Sequence, residues 1–201
     1  MSSETILSSS LFKKCLDFHG HLCPGLAMGY QAAVAGMQWL AARRAEDEEI
    51  VALVETDACG ADAVQVITGC TFGKGNFIYR DYGKTAFTFF NRDTGKGVRV
   101  ARKADPQEPL DPEHRALLDK IRQDTATPDE RAEFTQRHEA ASRRILDQPP
   151  EAIFTLTEVT VPLPEKARIE PSVNCARCGE PTMAAKLETV DGLRVCRGCL
   201  A

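Results

Sequence analysis

The chain has 201 residues, a length that accommodates one domain of ordinary size with a small appendage and argues against two full-size domains. Hydrophobic residues make up 43% of the chain and charged residues 27%, so neither a disordered nor a fibrous protein is expected. The formal net charge of -4 provides no overall positive field, and nucleic acid is therefore not an expected partner of the whole molecule.

The N-terminal sequence bears on where the protein resides. The first ten residues lack a basic stretch followed by a long apolar core, so they do not resemble a signal peptide, and a cytoplasmic protein is expected. Residues 22–42 are apolar, but Gln31 and Gln38 interrupt them, so no membrane association is expected. In a reducing cytosol the eight cysteines are interpreted as metal ligands or reactive thiols rather than as disulfides.

Two helices are predicted near the N-terminus. Ser10 can cap a short helix with apolar residues at helical spacing, and this helix ends near Gly20. A long helix begins at Pro24, which suits the first helical position because it has no N–H to satisfy, and Cys23 then lies at or beside the N-cap. The face of small residues on the long helix predicts close packing against another core element or a subunit partner. That face consists of Gly25, Gly29, Ala32, Ala33 and Gly36.

The middle of the chain contains four short runs rich in aromatic and β-branched residues. The first, residues 50–55, is followed by a loop at 56–60 and a short helix at 61–68. The other three runs are separated by short turns, which favour an antiparallel meander over parallel crossovers. They are residues 77–80, 85–91 and 98–100.

Residues 101–148 are heavily charged, and a helical insert or extension is predicted at about 106–148. One helix starts at Asp111 and Pro112, and a second starts at Thr127, where Glu130 stands at capping-box spacing. The charges of these helices are interpreted as a solvated face. A further strand is predicted at 153–161.

Two C-x-x-C pairs lie near the C-terminus, with a hairpin pattern between them. The hairpin, with its turn at Asp191 and Gly192, would bring the second pair back to the first. Four thiolates form the closed tetrahedral shell of structural zinc, which leaves no open position for a substrate. A redox role for either pair is the alternative. The four predicted ligands are Cys175, Cys178, Cys196 and Cys199.

These patterns predict an α+β fold with a mixed or antiparallel sheet and packed helices, followed by a small zinc ribbon. The boundary is placed near Pro171. The core domain then comprises residues 1–170 and the zinc-ribbon domain residues 171–201.

A second group of metal-binding residue types lies between the two N-terminal helices. His19, His21 and Cys23 alternate, so in an extended segment their side chains share one face. A helix N-terminus favours the thiolate form of Cys23, the form needed for metal ligation or nucleophilic attack. Cys59 follows the first strand, with Asp62 close to it. Two interpretations stay open: His21, Cys23 and Cys59 form an open metal shell, or one of the cysteines is a nucleophile with a histidine as base.

A glycine-bearing segment at residues 69–75 superficially suggests a phosphate loop. It lacks the required spacing and the hydroxyl residue after Lys74, so a turn joining helix to strand is the preferred interpretation. Lys74 and Lys84 could still supply positive charge to an anionic ligand near the thiols.

Four motifs together resemble the FmdE family of formylmethanofuran dehydrogenase proteins, and the C-terminal ribbon resembles the zinc-finger extension of some members. The resemblance implies an α+β core, a homodimer and association with molybdenum or tungsten enzymes that handle formyl groups on a one-carbon carrier. It does not imply that this chain carries out the oxidation. The motifs occupy residues 18–29 (FHGHLCPGLAMG), 56–63 (TDACGADA), 68–76 (TGCTFGKGN) and 80–84 (RDYGK).

The resemblance also implies which core residues matter. Cys23, Cys59, His19 and Asp62 match its motifs as candidate catalytic residues, and His21, Cys23 and Cys59 as candidate ligands of a second metal ion. The leading hypothesis is a zinc-binding protein accessory to a molybdenum or tungsten oxidoreductase. The alternatives are a stand-alone zinc- or thiol-dependent hydrolase or transferase, or an adaptor that recruits a partner through its ribbon.

Overall fold

The computed structural model describes residues 1–104, 111–160, 162–167 and 170–200. The beginning of the predicted helical insert, residue 161 of the last predicted core strand and the final residue of the predicted ribbon therefore lie outside the described residues. The chain divides into two compact units, Met1–Lys166 and Ala167–Ala201.

The larger unit combines a five-stranded sheet with seven α-helices over the described residues. Its helices are α1 (Ser3–Ser8), α2 (Ser10–His19), α3 (Pro24–Trp39), α4 (Gly60–Thr68), α5 (Pro112–Arg122), α6 (Pro128–Asp147) and α7 (Pro150–Ile153). Its strands are β1 (Ile50–Val54), β2 (Phe77–Tyr79), β3 (Ala86–Asn91), β4 (Gly97–Arg102) and β5 (Phe154–Val159). The α+β class is thus confirmed.

The sheet has the strand order β2-β1-β3-β4-β5 and is mixed. β1 pairs parallel with β2, with Leu53 opposite Ile78, whereas β1–β3, β3–β4 and β4–β5 are antiparallel. The predicted meander through 77–80 and 85–91 is therefore wrong at its first step. Helix α4 carries the chain from the end of β1 back to the edge of the sheet where β1 begins, so β2 runs parallel to β1. Strand β3 then pairs with the other side of β1.

Serine and glycine define the ends of α2. The hydroxyl of Ser9, rather than that of Ser10, accepts from the backbone N–H of Phe12, so the predicted cap is displaced by one residue. Gly20 ends the helix in the left-handed conformation at φ 94°, which glycine adopts without strain.

Helix α3 uses its small residues for packing inside the core. A Cβ atom at Gly29 would overlap the backbone of Gly60 at the start of α4, and a Cβ at Gly36 would overlap the ring of Phe89 in β3. The small-residue face is therefore covered within one chain. This corrects the option of a subunit partner on that face, because glycine is needed here for the approach of α4 and β3.

Helix α6 is held to the core at its C-terminal end. The buried amide of Gln31 on α3 donates to the carbonyl oxygens of Ile145, Leu146 and Gln148 at 2.9–3.2 Å. Because carbonyls in the last turn of a helix lack internal partners, these bonds satisfy groups that burial would otherwise penalise. They fix the position of the charged insert on α3.

The N-terminal end of α6 has the predicted capping box. The Thr127 hydroxyl accepts from the Glu130 N–H, and the Glu130 carboxylate accepts from the Thr127 N–H. We expect Thr127→Ala to lower the free energy of unfolding by about 1 kcal/mol, because an N–H loses its acceptor. Urea denaturation measures this. Thr135→Ala, in the exposed middle of α6, is the matched control and should leave stability unchanged or slightly higher; equal losses would contradict the capping role.

The smaller unit consists of two hairpins. Strands β6 (Ser172–Asn174) and β7 (Pro181–Met183) form the first, and β8 (Leu187–Val190) and β9 (Leu193–Cys196) form the second. The second hairpin turns at Asp191 and Gly192, both with positive φ, as expected for a two-residue turn.

None of the described helices is both long and apolar enough to cross a membrane.

Candidate metal centres

The four ribbon cysteines converge in the smaller unit. Their sulfur atoms all lie within 4.8 Å of one another; Cys175 and Cys199 are 4.0 Å apart and Cys178 and Cys196 are 3.8 Å apart. Zinc–sulfur bonds of about 2.3 Å imply a tetrahedral edge of about 3.8 Å. The sulfur positions therefore fit one zinc ion.

Backbone donors prepare Cys175 for metal binding. Its sulfur accepts from the N–H groups of Cys196 at 3.3 Å and Arg177 at 3.4 Å. These bonds, led by that from Cys196, lower the pKa of Cys175 to about 6. Zinc binds thiolates rather than thiols, so the turn geometry supports ligation.

A second group lies in the larger unit, where α2 ends and α3 begins. One donor atom from each of His19, His21 and Cys23 falls within 4.8 Å of the others. His19 is the last residue of α2 and Cys23 is the N-cap of α3, so Gly20 turns the chain sharply enough to return the Cys23 side chain to His19. The structure thus brings together three residues singled out in the sequence.

Asp62 orients one of these histidines. The Asp62 carboxylate lies 2.7 Å from His19 Nδ1, and His19 Nε2 lies 3.6 Å from Cys23 Sγ. Since an ionised carboxylate only accepts hydrogen bonds, Nδ1 carries the hydrogen and Nε2 presents its lone pair toward Cys23. This arrangement suits either a metal-binding imidazole with a supporting carboxylate or a nucleophile, base and orienting acid.

Cys59 lies at the edge of this group. It is the N-cap residue of α4, where its side chain makes no capping hydrogen bond. A Cβ atom built on Gly25 would lie 3.6 Å from Cys59 Sγ and 3.9 Å from Cys23 Sγ. Both sulfurs therefore lie next to Gly25 in the first turn of α3, where the absence of a side chain leaves room for them. Cys59 therefore neighbours Cys23 without belonging to the closest donor set.

Burial opposes the expected acidity of Cys23. Its sulfur accepts from the Leu26 N–H at 3.3 Å, as a helix N-cap should, but desolvation outweighs this bond and, with Cys59 nearby, raises the pKa of Cys23 to about 11. The backbone donors at the helix terminus do favour the thiolate, as expected, but burial outweighs them, and the expectation of a thiolate at Cys23 is wrong for the metal-free site. Burial likewise raises the pKa of Cys15 in the core to about 11.

The remaining motif cysteine, Cys70, belongs to the other end of β1. Its thiol donates to the carbonyl of Ile50 at the start of the strand, whereas Cys59 follows the end of the strand. The adjoining glycine-bearing segment is a turn, held by Asn76 to the loop before β1. The Lys74 ammonium donates to carbonyls of Glu46 and Asp47 before β1, so it lies at the Cys70 end of that strand and not at the Cys59 end.

A cavity of about 360 Å³ adjoins the core group. Pro24 and Gly25, next to Cys23, and Gly60, next to Cys59, line one side. Helices α5 and α6 line the other with residues that the sequence interpretation left in a solvated face. The spacing of 138, 141, 145 and 148 along α6 is the signal that could have indicated an inward face. The missed residues are Arg102, His114, His138 and Arg144.

A known protein family matches each of the two units of the chain. Residues 18–155 match the family described as FmdE, Molybdenum formylmethanofuran dehydrogenase operon. Residues 168–201 match the prokaryotic dksA/traR C4-type zinc finger. This second match agrees with the four-sulfur geometry, and the ribbon is a structural zinc site.

Individual proteins are also similar to the chain. A crystal structure of a tungsten formylmethanofuran dehydrogenase FmdE-like protein from Syntrophus aciditrophicus has a TM-score of 0.59 and 27% identity, covering 98% of this chain and 95% of that one. A "Probable S-adenosyl-L-methionine-binding protein" of Archaeoglobus fulgidus is 34% identical over 193 residues, which are 91% of this chain. The match spans about half (51%) of that relative's length.

Proposed function

Because the chain belongs to the FmdE family, we propose that it is a two-metal protein: a structural zinc ion in the ribbon and a second ion in the core. His19, His21 and Cys23 would hold the core ion, with Cys59 beside it. Three protein ligands leave a transition metal an open position, where it can polarise a bound group or activate water. We further propose that this site serves a molybdenum or tungsten one-carbon oxidoreductase system.

The bond between Asp62 and His19 carries the metal proposal. A carboxylate that accepts from one ring nitrogen fixes the tautomer and directs the other nitrogen to a metal. His21 adds a further donor atom within 4.8 Å, which a thiol nucleophile with a single base would not require. The residue types, imidazole and thiolate, are those that bind zinc.

The link to molybdenum or tungsten enzymes is supported by the descriptions of the matched family and of the similar crystal structure. An accessory role agrees with the cysteines: four belong to the ribbon, Cys23 and Cys59 to the core site, and Cys15 and Cys70 are buried. A homodimer in the cytoplasm completes the proposal, with an interface other than the covered face of α3. We do not propose S-adenosylmethionine binding, because the chain spans only about half of the relative whose name mentions that ligand.

Thiol catalysis is the second candidate, favoured by the alignment of Cys23, His19 and Asp62. In this alternative His19 Nε2 removes the Cys23 proton and Asp62 supports the imidazolium. The same three residues serve both candidates, so only the dependence on metal separates them.

Metal analysis of the purified protein tests the proposal. We expect about two ions per chain in the wild type and about one after Cys23→Ser, because a hydroxyl replaces a thiolate ligand. Cys15→Ser is the control, since Cys15 is buried on α2 away from the closest donor set and should leave the count at two.

A wild-type protein with one zinc ion, retained after Cys23→Ser, would contradict the core metal. In that case, alkylation of Cys23 that is unaffected by chelator and abolished by His19→Ala would support the thiol candidate. In a wild type with two ions, by contrast, protection of Cys23 from alkylation that is lost on chelation would support the metal.

A further inference from the structure

The cavity beside the core site lies between two parts of the larger unit. One wall is formed where α3 and α4 begin, and the opposite wall by the inward face of α6, with α5 beside it. The Gln31 bonds to the end of α6 hold these walls together. A volume of about 360 Å³ is that of a pocket for a small molecule.

Positive charge dominates the cavity lining. Arg102 of β4 and Arg144 of α6 both line it, and among the residues that the structure describes neither guanidinium has an ion pair or side-chain hydrogen bond. Among the lining residues that the structure describes, Asp111 carries the one carboxylate, and it is already paired with Arg137 at 2.8 Å. Two guanidinium groups are therefore left for an anionic partner.

A more open basin continues this positive surface. It shares Thr85 and Arg102 with the cavity and adds Lys84 and Lys103. Arg99 also lies there, but its Nε and Nη2 atoms donate to the Glu55 carboxylate at 2.8 Å, so its charge is already paired. Cations at the mouth of a cleft raise the local concentration of anions.

The rest of the lining is apolar or neutral. Met28, Phe87, Leu118 and Ile145 provide an apolar surface. His114 and His138 bond to each other at 3.1 Å, and the His138 ring stacks on Phe134 with centroids 4.7 Å apart. The histidine pair thus presents a fixed polar edge beside an apolar surface.

We infer that this cavity binds a small organic anion with an apolar body, whose carboxylate or phosphate is held by Arg102 and Arg144. The remainder of the anion then lies toward Pro24 and Gly25, beside Cys23 and the open position of the core metal. The claim that the anion is a substrate of the core metal rests on the proposed function. The charge recognition itself depends on the arginines.

Benzoate and its uncharged analogue benzamide are suitable probes, and calorimetric titration of the full chain measures their binding. We expect benzoate to bind about tenfold or more tightly than benzamide, since a charge-assisted pair is lost in the amide. Arg102→Gln and Arg144→Gln should each weaken benzoate by about tenfold and leave benzamide unchanged. Arg143→Gln is the matched control, because Arg143 is the neighbouring residue on α6, is exposed as Arg144 is, and does not line the cavity.

Equal affinities for the two probes, or equal weakening by Arg143→Gln and Arg144→Gln, would overturn the inference. Cys23→Ser separates it from the proposed function. Benzoate binding that persists while the core metal is lost supports the arginine site, whereas binding that disappears with the metal assigns the anion to the metal and overturns it. A wild type that lacks core metal yet binds benzoate through the arginines contradicts the proposed function alone.

Discussion

Replacing Cys178 by serine is expected to release the ribbon zinc and unfold the smaller unit while the larger unit stays folded. Over residues 170–200 only Cys175 and Val195 are buried, so packing contributes little to the stability of the hairpins. Structural zinc contributes about 10–16 kcal/mol in finger peptides of this kind. Zinc analysis together with limited proteolysis after residue 167 measures the effect.

The matched control for this change is Thr189→Ser, an exposed position on β8 of the same hairpin pair. It should retain zinc and resist protease as the wild type does. If Cys178→Ser did the same, the four-thiolate assignment would be wrong. If both units unfolded together, the two units would not be independent.

Asp62→Asn is expected to weaken core metal binding by about 10- to 100-fold, the usual effect of removing a carboxylate that supports a metal-bound histidine. An amide oxygen is a weaker acceptor for His19 Nδ1–H, and its NH2 group can favour the wrong tautomer. Competition with a chromogenic chelator measures the affinity, and the ribbon zinc serves as an internal standard.

Asp57→Asn makes the same charge change in the loop before α4, at a residue that does not contact His19. It should lower the metal affinity far less than Asp62→Asn does. Equal losses in the two variants would mean that general electrostatics, and not the orientation of His19, is responsible.

Local features of the chain were predictable because short stretches of sequence determine them. Pro24 placed Cys23 at a helix N-cap, Thr127 and Glu130 specified a capping box, and the paired cysteines with their hairpin specified the ribbon. The resemblance to the family, now confirmed, supplied both His19 and Asp62 as candidate residues, and the structure pairs them although 43 residues separate them.

Long-range pairing was not predictable in the same way. The turn between β2 and β3 looks like a hairpin turn, yet β1 lies between the two strands, because a sheet is ordered by partners distant in sequence. The cavity depends on α6 returning to α3 over more than a hundred residues. The pKa of Cys23 depends on burial, which only the folded chain reveals.

The close approach of Gly29 and Gly60 makes the core site depend on two residues that supply no metal ligand. Their missing side chains let α3 and α4 lie side by side, and the beginnings of those helices carry Cys23, Cys59 and Asp62. A methyl group at Gly29 would overlap the Gly60 backbone and is expected to push the helices apart and draw Asp62 away from His19, whereas one at Gly60 would only make tight contacts of 3.1–3.3 Å. A chain with every proposed ligand intact is thus expected to lose the proposed core metal through a change that alters only a backbone spacing.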